Sequence, residues 1–91
     1  MLERKKLKDS AQVTFVLPAD VPPGPVSVVG DFNDWKPGAH PLEPCSDGTR
    51  AVTVGMPAKS VHSFRYLAAG DYWFDEEQAD GHDGTNSLLR T

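Results

Sequence analysis

Four side chains have types and settings suited to chemistry on a ligand: Trp35, Arg65, Trp73 and Asn86. Trp35 ends the run Gly30-Asp31-Phe32-Asn33-Asp34-Trp35. The β-branched segment Val26-Ser27-Val28-Val29 stops in that glycine, so the run reads as a strand entering a polar turn. The tryptophan has no apolar neighbours in sequence to pack with. A large, stiff, flat ring on a turn can stack on a ligand while neighbouring amides and carboxylates meet the ligand's polar groups. A sugar ring, with an apolar C–H face and an edge of hydroxyls, is the ligand that most needs this combination. The structural alternative is an aromatic cap over the end of a sandwich.

Trp73 lies in Tyr72-Trp73-Phe74. Successive strand residues face opposite ways, so one of the three packs inward and the others are free to bind. Arg65 lies between Phe64 and Tyr66 and so points away from them; its planar fork can donate to hydroxyls or stack on an aromatic ring. Asn86 offers a donor and an acceptor, which matches a pair of hydroxyls, although turns also use such an amide as a cap.

Other reactive types carry less. His40, His62 and His82 are scattered, with no spaced His pair or Cys pair, so no metal site is expected. The acidic run Asp75, Glu76, Glu77, Asp80 and Asp83 lacks the spacing of an EF-hand loop and reads as a solvated acidic loop. Asp31 and Asp34 could in principle act as a paired acid and nucleophile, but carboxylates at such turns usually cap backbone groups, and no catalytic residue is expected. Cys45, in Pro44-Cys45-Ser46-Asp47-Gly48, reads as a loop residue rather than a nucleophile.

The elements that position these residues are short strands. Eight prolines and eight glycines punctuate 91 residues at fairly regular spacing, which predicts an all-β, immunoglobulin-like antiparallel sandwich of about seven strands. The expected strands are 12–17, 26–29, a short one around Leu42, 49–54, 61–68, 72–74 and 86–90, with Val13, Phe15, Val28, Val52, Phe64 and Tyr66 in the core. Residues 18–25 form a proline-rich connection that cannot supply a full ladder. Residues 1–10 read as a flexible charged leader and 11–91 as a single domain. The chain is far shorter than the roughly 250 residues of a (β/α)₈ barrel, which excludes a hydrolase of that architecture. The net charge is −4, and four of the nine Lys and Arg fall within the first eight residues, so no basic stripe for nucleic acid remains. No membrane span, no secretory h-region and a lone cysteine together lead to a cytoplasmic expectation.

The motifs fall in an order that resembles one family. Gly-Asp-Phe-Asn-Asp-Trp, Phe64-Arg65-Tyr66-Leu67, Trp73-Phe74-Asp75 and Asn86-Ser87-Leu88-Leu89 resemble the family 48 carbohydrate-binding modules, over residues 10–91. These are the glycogen-binding domains of AMP-activated kinase β subunits and the N-terminal domains of isoamylases, pullulanases and branching enzymes. The resemblance implies non-catalytic binding of α-1,4-glucan (glycogen, starch or maltodextrin), without a cofactor. It implies that Trp35 stacks on glucose and Trp73 forms a second platform, with Tyr72 taking that role if the register slips by one. Arg65 and Asn86 would bond hydroxyls, and Asp83 and Thr85 would make secondary contacts. The loop Gly81-His82-Asp83-Gly84 lacks the aliphatic residue of kinase-type members. A rival expectation is a structural or docking domain beside a glucan-processing hydrolase or kinase subunit, with no sugar binding of its own. A generic immunoglobulin-like adhesion or scaffold domain is a third, disfavoured by the missing cysteine pair and signal peptide. Exposure of Trp35 and Trp73 separates the first two.

Overall fold

Alternating side chains write most of the strands, and a computed structural model, which describes residues 2–20, 24–76 and 78–91, places them. The strands are β1 (Leu2–Lys6), β2 (Ser10–Pro18), β3 (Val26–Gly30), β4 (His40–Pro41), β5 (Glu43–Pro44), β6 (Thr49–Pro57), β7 (Val61–Ala68), β8 (Tyr72–Phe74), β9 (Gly81–His82) and β10 (Ser87–Arg90). A 3₁₀ turn, Asp31–Asn33, follows β3. One sheet runs β1-β2-β6-β5; the other runs β4-β3-β7-β10-β9, with β8 also pairing β7. Every pairing is antiparallel. The result is the expected all-β sandwich. The chain passes between sheets from β2 to β3, from β4 to β5 and from β6 to β7.

The core lies between the sheets. Val13 and Phe15 of β2 and Val54 and Met56 of β6 meet Val26 and Val28 of β3, Phe64, Tyr66 and Ala68 of β7, and Leu89 of β10. Phe15 sits at its centre, with ring centroids 5.2 Å from Phe64 and 6.3 Å from Tyr66, both edge to face. That arrangement sets the positive edge of one ring against the negative face of another. Of the expected core residues, only Val52 is half-buried, packed on the cluster's rim. Leu42 is buried where the chain crosses from β4 to β5, and its N–H donates to the Val26 carbonyl at 2.9 Å.

The leader is a correction. Leu2–Lys6 is not flexible chain but an edge strand, in register with β2 from Leu2↔Phe15 to Lys6↔Ala11. Its charges hid it, because a strand with one apolar residue shows no alternation; Lys and Arg on an edge also protect it from further pairing. Arg4 pairs with Asp80 at 2.7 Å and so ties this edge to the other sheet. Residues 21–23 of the proline-rich connection lie outside the described residues, as does Glu77 of the acidic run. No helix among the described residues is long and apolar enough to cross a membrane.

Candidate functional site

The Gly30–Trp35 run builds a rigid turn. Gly30 is extended, so its backbone suits any residue, but a Cβ there would lie 2.5 Å from the Ser63 carbonyl oxygen and 2.9 Å from Phe64 Cβ. Only glycine lets the strand pass this close. The Asp31 carboxylate accepts the Ser63 N–H at 3.1 Å and sits 2.9 Å from His62 Nδ1. Phe32 turns inward and stacks on Phe15 at 5.9 Å. Asn33 accepts the Gly30 N–H at 3.0 Å and donates to the Val28 carbonyl at 3.1 Å. Asp34 and Trp35 both adopt φ of 56°, and the Trp35 N–H closes the turn on the Gly30 carbonyl at 2.9 Å. Asp31 and Asn33 thus brace the turn, and for Asp31 this is the backbone-capping role its turn implied. Trp35 is held at the end, 37% exposed.

The hairpin between β7 and β8 puts Tyr72 and Trp73 on different faces. Ala68 pairs with Tyr72, Leu67 with Trp73 and Tyr66 with Phe74. Tyr66 and Ala68 are core residues, so Trp73 belongs to the opposite, outer face together with Leu67 and Arg65. The Arg65 guanidinium carbon lies 6.0 Å from the Trp73 ring centroid. Tyr72 instead lies on the edge of the inner face and stacks on Phe74 at 5.6 Å. Trp73 is 36% exposed.

Strands β3 and β10 flank β7 beside this face. Val29 of β3 stands opposite Arg65 and is fully covered although it faces away from the core. Ser87 pairs with Phe64 at the start of β10, and Asn86 lies in the bend one residue before that pair. Among the described residues the Asn86 carboxamide makes no hydrogen bond; its backbone does, donating to Asp83 Oδ1 at 2.7 Å. Asp83 also accepts the Thr85 N–H at 2.9 Å, and these two backbone bonds hold its carboxyl below the usual carboxylate range. Asp83 is therefore a turn cap, while Thr85 is exposed beside it. Trp73 and Arg65 share the outer face. Trp35 is anchored at the end of β3, where Gly30 pairs with Phe64, the neighbour of Arg65.

One residue beside Arg65 was read only as part of the acidic loop. Asp75 Oδ1 lies 3.4 Å from Arg65 Nε, an ion-pair contact without hydrogen-bond geometry, and accepts the Ser87 hydroxyl at 3.2 Å. Counting outward from the Gly70-Asp71 turn would have set Asp75 against Arg65. Glu76 also departs from the solvated-loop expectation. Glu76 is buried and accepts the Tyr66 hydroxyl at 2.7 Å and the Gln78 N–H at 2.9 Å. No group of metal-binding side chains forms among the described residues. Compared with known proteins, the chain matches no family model and no curated protein sequence.

Proposed function

We propose that this domain binds α-1,4-linked glucan without acting on it. The observation that carries the reading is the pairing of an exposed indole, Trp73, with the Arg65 guanidinium 6.0 Å away on the outer sheet face. A second indole, Trp35, is exposed on a braced turn at the same sheet. Aromatic faces would cover the apolar side of a glucose unit, and the guanidinium and carboxamide would meet its hydroxyls. Both indoles present ring surface to solvent, which weighs against the rival role of a flank that only packs on a neighbouring enzyme. A cytoplasmic location belongs to the same proposal and rests on a lone, exposed Cys45.

A shallow face buries little area, so affinity should be modest, with dissociation constants from about micromolar to about millimolar. The test is titration with maltoheptaose or β-cyclodextrin, followed by tryptophan fluorescence and amide NMR. Saturable shifts at the indole signals of Trp35 and Trp73 are expected, and a β-1,4-linked oligosaccharide should give none. Absence of any shift with either α-glucan would return the domain to the docking reading.

A further inference from the structure

Arginine is long and flexible, yet Arg65 is held. Its Nε lies 3.4 Å from Asp75 Oδ1 and its guanidinium rests by Trp73. The same Asp75 oxygen accepts the hydroxyl of Ser87, a fully buried residue. The Ser87 oxygen in turn accepts the Glu76 N–H at 3.1 Å, and Glu76 accepts the Tyr66 hydroxyl in the core. A chain of polar contacts therefore runs from the middle of the sandwich to the outer face and ends on one arginine. The terminal nitrogens of Arg65 make no hydrogen bond to the described residues. Nε, buried and facing Asp75, is the end that is pinned.

We propose that Asp75 is a positioning residue: it draws the Arg65 guanidinium into place beside Trp73 and leaves the two terminal amino groups to donate to the hydroxyls of a neutral sugar. The inference rests on the glucan reading above. Two physical consequences follow. The arginine loses part of its rotamer freedom before a ligand arrives, so less is lost on binding. The nearby carboxylate also matches its charge, so the face offers donors rather than an open cation, which suits hydroxyls better than anionic groups.

Asp75→Asn tests this, because the amide oxygen can still accept the Ser87 hydroxyl while the charge is gone. In the free protein, the Arg65 Nε–H signal in ¹H–¹⁵N spectra should exchange faster with water in the variant. Maltoheptaose binding should weaken about two- to fivefold, the scale of one exposed ion pair. In an Arg65→Ala background, the same substitution should weaken binding no further. An unchanged Nε–H signal in free Asp75→Asn overturns the positioning role, and it is read without any sugar. Equal weakening with and without Arg65 overturns it as well, because the effect would not pass through the arginine. A wild-type protein that binds no maltoheptaose overturns the glucan reading, and the binding half of this inference with it.

Discussion

The Nδ2 atom of Asn33 lies 2.9 Å from Nδ1 of His40, and this contact fastens the Trp35 turn to the neighbouring strand β4. The amide's orientation is set by its other bonds: Oδ1 takes the Gly30 N–H and Nδ2 donates to the Val28 carbonyl. Its remaining proton points to His40, so Nδ1 there is the acceptor.

Asn33→Asp should therefore destabilise the domain. A carboxylate cannot donate to Val28 or His40 and sets its own lone pairs against a carbonyl oxygen. The expected loss is about 1–3 kcal/mol, the range for stranding buried polar partners. An exposed asparagine would show under about 0.5 kcal/mol. Urea unfolding measures the difference; a midpoint within error of wild type would show that the bracing contributes nothing.

Gly30→Ala separates space from backbone conformation. The extended backbone at Gly30 tolerates alanine, but the new methyl meets the Ser63 carbonyl oxygen, Phe32 and Phe64. Neither sheet backbone nor core ring yields easily. A loss of about 1–3 kcal/mol is expected, as for overpacking elsewhere. Gly38 has open space around it but a φ of +81°, so its alanine variant suffers from strain alone. Thermal unfolding of the two variants should rank Gly30→Ala as the worse.

Stability should fall at both ends of the pH scale, through the two buried groups Tyr66 and Glu76. Burial and the nearby Glu76 push the Tyr66 phenol well above its ordinary 10.0. The unfolded chain ionises first, so this contribution is complete below pH 10 and declines above it, by up to about 1.4 kcal/mol per pH unit. Burial raises the Glu76 carboxyl, but the hydrogen bonds it accepts, from the Gln78 N–H and the Tyr66 hydroxyl among them, outweigh this and hold it below its ordinary 4.5. That contribution is present above pH 4.5 and is lost as pH drops through the lower folded value. Tyr66→Phe should be less stable at neutral pH, since it removes a hydrogen bond between buried groups, yet it should lose the alkaline slope. Unfolding free energies at pH 7, 10 and 11 decide; an unchanged alkaline slope in Tyr66→Phe would assign the slope to other groups.

What was legible in the sequence follows from how each element is stabilised. β2, β3, β6 and β7 bury one face, and burial leaves a period of two in the chain, so Val13, Phe15, Val28, Phe64 and Tyr66 could be placed in the core from sequence. β1 and β9 are held by edge pairing and by the Arg4–Asp80 contact, which leave no such period. The site divides the same way. The two indoles and Arg65 were visible as residue types out of keeping with a core. Asp31 could be read as a cap from its turn, but the partners of Asn33, Asp83 and Glu76 are backbone groups and distant side chains that only the folded register supplies.

The tryptophans and the core aromatic should part company in a single substitution series. Trp35 and Trp73 are each about one-third exposed, so truncation removes some packing as well as ligand surface. Trp35→Ala and Trp73→Ala should cost about 1–2 kcal/mol, less than a fully buried ring. Phe64 has no exposed surface and contacts Phe15 and Tyr66, so Phe64→Ala should cost about 3–5 kcal/mol. That is a large part of the stability of so small a domain, and the variant should be partly unfolded near room temperature. For maltoheptaose the order reverses. Trp35→Ala should abolish detectable binding with the fold intact, and Trp73→Ala should weaken it strongly. Arg65→Ala should have a smaller effect, because water competes for the hydroxyls its guanidinium would hold. Tyr72→Ala serves as the control, since Tyr72 stacks on Phe74 away from the Arg65 face, and its loss should leave affinity nearly unchanged. Fluorescence titration alongside urea unfolding reads both quantities on each variant. If Tyr72→Ala abolished binding while Trp73→Ala did not, the ligand face would lie on the hairpin's edge rather than on the outer sheet surface.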